Sequence, residues 1–183
     1  PIFLYQGLVS KERGVELIFE AVRKIPDHYK FYFIFLGSGP YLPILKNKII
    51  QYNLEDRMFI REEVAQDILL RYTSSADIGV HALDRSCLNH EYCLPNKIFE
   101  YLHAGIGIVC PDLYELNNFM KISKAGITYA SGESASLTKT LEFLLKDKSE
   151  IEALKSYSEK AKSSFNWSIE EKKLLNLYTE ILN

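Results

Sequence analysis

Two hydrophobic rhythms alternate along this chain. Short runs that are apolar at nearly every position are separated by longer stretches in which apolar residues return every three or four. Ile2–Gln6, Lys30–Leu36, Arg57–Arg61, Asp77–Leu83, Gly107–Cys110 and Ile127–Ala130 are of the first kind and predict strands. Val15, Ile18, Phe19, Val22 and Ile25 are of the second and predict a helix over Lys11–Ile25. Leu42, Leu45, Ile49 and Ile50 mark the next helix, and Val64, Ile68, Leu69 and Tyr72 another. Further helices are predicted over Leu113–Lys124 and Leu137–Leu145. From Pro95 the residues Ile98, Phe99, Leu102 and Ala104 recur at helical spacing until Gly105. Pro suits a first helical turn, where its missing N–H would have no partner, and Gly suits the stop. The tail has a different pattern, because Ser149–Ser164 and Ser168–Leu182 are charged, amphipathic helices with no strand between them.

Strands that are apolar on both sides need cover on both sides. Their alternation with helices therefore predicts an α/β fold, a doubly wound parallel sheet of about six strands followed by C-terminal helices. Ligands in such sheets collect at the carboxyl ends of the strands. The loops that matter are then Gly7–Gly14, Gly37–Pro40, Arg61–Val64, Leu83–Pro95 and Pro111–Glu115.

The helix opened by Pro95 carries the sharpest candidate chemistry. Asn96, Lys97 and Glu100 fall near its N-terminal end, off the Ile98–Leu102 stripe. Free N–H groups and the helix dipole favour an anion there, and Lys97 adds a full charge, so this is a phosphate site. Glu100 would repel a phosphate but suits a neighbouring pair of hydroxyls, such as a ribose diol. Together they describe a nucleoside-diphosphate clamp. Arg13, at a helix start after the first strand, is a second cation on the same rim. Gly37-Ser38-Gly39-Pro40 follows a strand and opens a helix, which suits close approach of backbone to a phosphate or ring. It lacks the third glycine of the dinucleotide fingerprint and serves equally well as a tight turn.

Composition narrows the classes. A chain of 183 residues with 47% hydrophobic and 25% charged residues fits one soluble globular domain. A net charge of −2 gives no field for nucleic acid or an anionic membrane. No apolar run reaches the roughly 18–20 residues needed to span a bilayer, and no signal peptide opens the chain. It begins with Pro1 rather than Met, so a piece of something longer is expected. Cys87, Cys93 and Cys110 are sparse and odd in number, which points to a reducing, cytoplasmic compartment. Cys87-x2-His90-x2-Cys93 fits none of the common zinc spacings, so no metal is expected. Glu91 and Glu100 do not make an acid–base pair, because one lies in a loop and the other beside a lysine that holds it ionised. Trp167 is expected to anchor the last helix by packing.

Three motifs carry a resemblance. Gly7-Leu8-Val9-Ser10-Lys11-Glu12-Arg13-Gly14, Phe35-Leu36-Gly37-Ser38-Gly39-Pro40 and Pro95-Asn96-Lys97-Ile98-Phe99-Glu100-Tyr101-Leu102-His103-Ala104-Gly105 are similar to those of one family. The chain resembles the C-terminal, nucleotide-sugar-binding half of a retaining glycosyltransferase of the GT-B fold, family 4 (glycosyl transferases group 1). The likeness runs from the first strand to the final helix. It implies a Rossmann-like binding domain over 1–164, a crossover helix over 165–183, and an N-terminal acceptor domain absent from this chain.

The resemblance also implies roles. Arg13 and Lys97 would neutralise the leaving diphosphate, with Gly7, Gly37, Gly39 and Asn96 around it. Glu100 would bind the ribose hydroxyls, and the loop from Arg61 to Val64 would receive the base. Two positions depart from the family. Leu8 stands where the first loop has arginine, and Tyr92 stands where a glutamate faces the donor sugar, with Glu91 one residue away to take that part. The implied activity is metal-independent transfer of a hexose from a nucleotide sugar to a hydroxyl of a glycan or lipid-linked acceptor, with no other cofactor. Its setting would be surface polysaccharide or lipid-linked glycan synthesis, in the cytoplasm or peripherally at the inner membrane face. This half alone would bind but barely turn over, and the apolar side of its tail helix would be partly orphaned. Half of a nucleotide-sugar epimerase, or a non-catalytic α/β binding module, stays open beside it.

Overall fold

The structure is a computed structural model that describes residues 1–182. Asn183, the end of the segment 165–183, lies outside them. Strands β1 (Ile2–Gln6), β2 (Tyr32–Leu36), β3 (Met58–Arg61), β4 (Ile78–Val80), β5 (Gly107–Pro111) and β6 (Gly126–Tyr129) form one six-stranded sheet in the order β3-β2-β1-β4-β5-β6. Every pairing is parallel. The crossovers run outward in opposite directions from β1 and β4, so a crevice opens between the carboxyl ends of these two strands.

Alternation along the strands builds two cores. Phe3, Tyr5, Phe33, Phe35 and Val80 face one side, where α1 (Val15–Val22), α2 (Leu42–Gln51) and α7 (Ser134–Lys146) cover them. Leu4, Leu36, Ile108 and Cys110 face the other, under α5 (Asn96–His103) and α6 (Tyr114–Ser123). Burial on both faces is why the strands carry no polar alternation. The expected doubly wound α/β fold is what forms. The remaining helices are α3 (Gln66–Thr73), α4 (Leu88–Tyr92), α8 (Lys148–Ala161) and α9 (Trp167–Leu182).

Several boundaries differ from the periodicity. The helix expected over Lys11–Ile25 is a 3-10 turn at Lys11–Arg13 followed by α1, because Gly14 between them is left-handed (φ 69°). A β-carbon at Gly14 would lie 2.6 Å from that of Ala82, so only glycine fits this close approach to the segment after β4. Strand β4 ends at Val80 rather than Leu83, although the His81 N–H still bonds the Val109 carbonyl. The loop expected over Asp84–Leu94 contains α4. Pro95 is the extended residue before α5 (φ −66°, ψ 144°), not its first turn. Gly105 does end that helix: its N–H and that of Ile106 bond the carbonyls of Leu102 and Tyr101.

The tail helix corrects one expectation. Trp167 is 67% exposed and α9 buries no residue, so Trp167 anchors nothing within the described residues. The chain is held instead by Phe165, whose ring packs on Phe119 (4.8 Å), just before α9 leaves the sheet. Leu174, Leu175, Tyr178, Ile181 and Leu182 face solvent, as the orphaned apolar side predicts. Among the described residues, no helix is long and apolar enough to cross a membrane.

Candidate functional site

Polarity enters the otherwise apolar strand β1 at its last residue, Gln6, and this residue organises the crevice. Gln6 is 2% exposed, so its amide must find protein partners. Its Nε2 donates to Glu100 Oε2 (2.5 Å), and its Oε1 accepts from the Thr73 hydroxyl at the end of α3 (2.7 Å). The Gln6 backbone N–H donates to the Tyr101 hydroxyl (3.2 Å), which is also 3.3 Å from the Val80 carbonyl. Strands β1 and β4 and helices α3 and α5 are thereby pinned around one carboxylate. Oε2 of Glu100 is fixed from below, and Oε1 has no protein partner among the described residues.

The cleft above this network is about 410 Å³. Gln6 at the end of β1, Gly7 and Leu8 after it, Gly37 and Ser38 after β2, Glu63 and Val64 after β3, and Asn96, Lys97 and Glu100 of α5 all contribute to its wall. The loops are stapled to each other where Val9 N–H bonds the Ser38 carbonyl (2.8 Å), and the first loop is tied back to β1 where the Tyr5 hydroxyl donates to the Leu8 carbonyl (2.7 Å). Such bonds hold the Gly7 and Gly37 backbone in place before any ligand arrives.

Lys97 points back toward Gly7 rather than outward. Its ammonium lies 4.1 Å from the Tyr5 ring centroid and makes no hydrogen bond or ion pair among the described residues. Burial, followed by the nearby charge of Arg13, pulls its pKa down to about 8, against a smaller opposing pull from Glu100. A desolvated cation without a counter-ion is poised for an anion. His81, just after β4, is buried, and neither ring nitrogen has a hydrogen-bond partner among the described residues. Burial holds its pKa well below the usual value, and the charges of Lys97, Arg13 and His90 act in the same direction. Lys97 and Arg13 are thus the cations whose charge is felt in this corner.

The structure brings Gly7, Gly37, Val64, Asn96, Lys97 and Glu100 into one cleft. Arg13 sits outside the wall on the exposed 3-10 turn, within electrostatic reach of Lys97. Gly39 also lies outside it, since a β-carbon there would run into the Val9 carbonyl at 2.3 Å. It packs two loops together rather than facing a ligand. Arg61 is turned away: its guanidinium lies over the Phe59 ring (5.8 Å) and bonds its own neighbour's carbonyl. Glu91 is occupied on both oxygens, by Arg85 Nε (2.9 Å) and by the Tyr114 N–H at the start of α6 (3.0 Å). His90 Nδ1 turns to Asp84 and Cys93 Sγ bonds the His90 carbonyl, and among the described residues these side chains do not gather as a ligand set. Sequence reasoning missed Gln6 and Thr73, and covered Glu63 only as part of the Arg61–Val64 loop given to the base. Of the two missed, Gln6 left a signal, as a lone amide closing an apolar strand.

An open parallel sheet with an anion-ready crevice at its switch point defines a Rossmann-like α/β domain, of the kind that forms the C-terminal half of GT-B glycosyltransferases. Residues 1–164 match the glycosyl transferases group 1 family, and the chain belongs to that family. No curated protein matches the sequence.

Among solved structures the chain is similar to HepE from Anabaena in complex with UDP, at 16% identity and a TM-score of 0.83, over 98% of this chain and 48% of that one. It is similar to sucrose-phosphate synthase from Thermosynechococcus elongatus at 19% and 0.83, over 100% and 45%. It is also similar to the C-terminal domain of the glycosyl transferase group 1 family protein LpcC from Francisella tularensis at 14% and 0.68, over 86% and 80%. At these identities the likeness is one of fold. The chain spans about half the length of the first two.

Proposed function

We propose that this chain is the donor-binding half of a retaining glycosyltransferase that moves a hexose from a nucleoside-diphosphate sugar to a hydroxyl acceptor. The observation that carries the reading is the meeting of an unpaired, desolvated Lys97 and a pre-oriented Glu100 on the first two turns of α5, in one cleft. The diphosphate lies against the α5 N-terminus, Lys97 and the Gly7 and Gly37 backbone, with Arg13 reaching in from the rim. Glu100 Oε1 accepts from the ribose hydroxyls. Positive charge aimed at the diphosphate stabilises it as it leaves, which is an electrostatic share of catalysis.

Glu91 takes part at the donor sugar only after releasing Arg85 and the Tyr114 N–H. HepE in complex with UDP-glucose supports a nucleotide sugar as the donor class. The acceptor is a glycan or lipid-linked glycan held by a further domain, the transfer needs no metal, and α9 crosses toward that domain. Surface polysaccharide or lipid-linked glycan synthesis in the cytoplasm is the matching setting.

Calorimetric titration with GDP, UDP and ADP tests the clamp. Glu100→Ala is expected to lower affinity for the preferred diphosphate about tenfold, the loss of about 1.5 kcal/mol for a charge-assisted contact to the ribose. A matched 2′,3′-dideoxy nucleotide should bind wild type as weakly as the normal one binds the variant. Equal binding of both nucleotides by wild type would remove Glu100 from the site.

A further inference from the structure

Beyond Glu100 the same cleft continues along the ends of β2 and β3, and its chemistry changes there. The wall on this side is Leu36, Ser38, Glu63, Val64, Gln66 and Leu69. If the phosphates lie at Lys97 and the ribose at Glu100, the covalent order of a nucleotide places its base here, on the side of the ribose away from the phosphates. Leu36, Val64 and Leu69 offer apolar surface for a flat ring. The polar groups of the wall then decide which ring.

Glu63 is the one that discriminates. Its Oε2 accepts a hydrogen bond from Ser38 Oγ, which ties the loop after β2 to the loop after β3 and sets the carboxylate on the wall. An ionised carboxylate only accepts, and its two oxygens offer about four lone-pair sites, so it can still take two donors after the bond from Ser38. Guanine presents two adjacent donors, N1–H and the N2 amino group. Uracil presents its single N3–H between two carbonyl oxygens. Adenine and cytosine each set an amino donor beside a ring acceptor. Only guanine therefore offers two adjacent N–H donors for a two-point contact with the Glu63 carboxylate. The Gln66 amide accepts and donates, so it discriminates little alone, but its donor end complements the O6 acceptor of guanine. Glu63 is exposed at the mouth of the cleft. A base covering it would exclude water, and hydrogen-bond selection is strongest where water is absent.

We infer that Glu63, held by Ser38, selects guanine, so that the donor is a guanosine-diphosphate sugar; this rests on the nucleotide clamp proposed above. Titrating the chain with GDP, UDP, ADP and CDP, for wild type, Glu63→Gln and Glu100→Ala, tests it. Wild type binds GDP about tenfold or more tightly than UDP, and Glu63→Gln erases that margin by weakening GDP while UDP holds or gains. Glu100→Ala weakens all four nucleotides alike. The guanine assignment falls if UDP or ADP binds wild type as well as GDP does, or if Glu63→Gln weakens every nucleotide equally. The clamp survives that failure so long as Glu100→Ala still reduces binding. Should no diphosphate bind, or should Glu100→Ala change nothing, both readings fall together.

Discussion

Lys97→Met is expected to weaken nucleoside-diphosphate binding about thirtyfold at pH 7, or about 2 kcal/mol for a desolvated charge-to-phosphate contact. The same variant should abolish a pH dependence that wild type shows. Burial and Arg13 bring the Lys97 pKa down to about 8 in the free protein, and a bound diphosphate, being anionic, must raise it. Above pH 7, where the terminal phosphate is already ionised, wild-type affinity therefore falls as pH rises past about 8, by up to about tenfold per unit until the bound-state pKa is reached. An ordinary surface lysine would show that fall only above its usual value of about 10.4. Titrations at pH 7, 8 and 9 separate the two. A wild-type affinity constant across that span would mean that Lys97 does not hold the phosphates.

Stability should move the other way. A lysine whose folded pKa is lowered carries a penalty that is fully present below about 8 and disappears as pH rises toward the unfolded value. Lys97→Met should then unfold at a higher temperature than wild type at pH 7, with the gap closing at more alkaline pH. The variant would be a better-folded protein with a poorer site. That opposition separates a ligand-binding lysine from one that supports the fold, because removing the second kind lowers stability at every pH.

Much of the fold is legible in the sequence because its rule is local. A strand buried on both faces is apolar throughout, and β1, β2 and β5 announce themselves by that alone. Gly105 and Pro95 bracket α5 within a residue for equally local reasons. Where two segments meet, legibility ends. Nothing in the run Val15–Ile25 says that Gly14 before it lies against Ala82, far along the chain.

The site divides in the same way. Lys97 and Glu100 share one helix, so spacing alone predicts them. The Gln6–Glu100 bond joins residues 94 apart, and Glu91 is taken by Arg85 and Tyr114 through contacts no periodicity encodes. Arg61 illustrates the converse. It closes a strand at the correct edge, yet its side chain lies back over Phe59.

Gly37→Ala is expected to be the most damaging single methyl in the molecule. The residue sits at φ 148°, a conformation L-residues rarely adopt, and an added β-carbon would stand 2.0 Å from the Gly7 carbonyl oxygen. No flexible side-chain end is available to yield, because the obstacle is backbone. Moving it would disturb the Gly7 N–H bond to the Leu36 carbonyl (2.9 Å) and, with it, the loop that forms the phosphate side of the cleft. Backbone strain of about 1–3 kcal/mol and a comparable overpacking term together predict a loss of about 3–5 kcal/mol in urea unfolding. Gly132→Ala is the control. Its φ is 79°, but nothing among the described residues lies within 4 Å of the position, so only the left-handed penalty of about 1–2 kcal/mol applies. If Gly37→Ala unfolds at the same urea concentration as Gly132→Ala, the two loops are not in the contact described, and the pre-formed phosphate cradle goes with it. If it is far less stable, the cleft was built before the ligand, from a contact that leaves no room for a side chain.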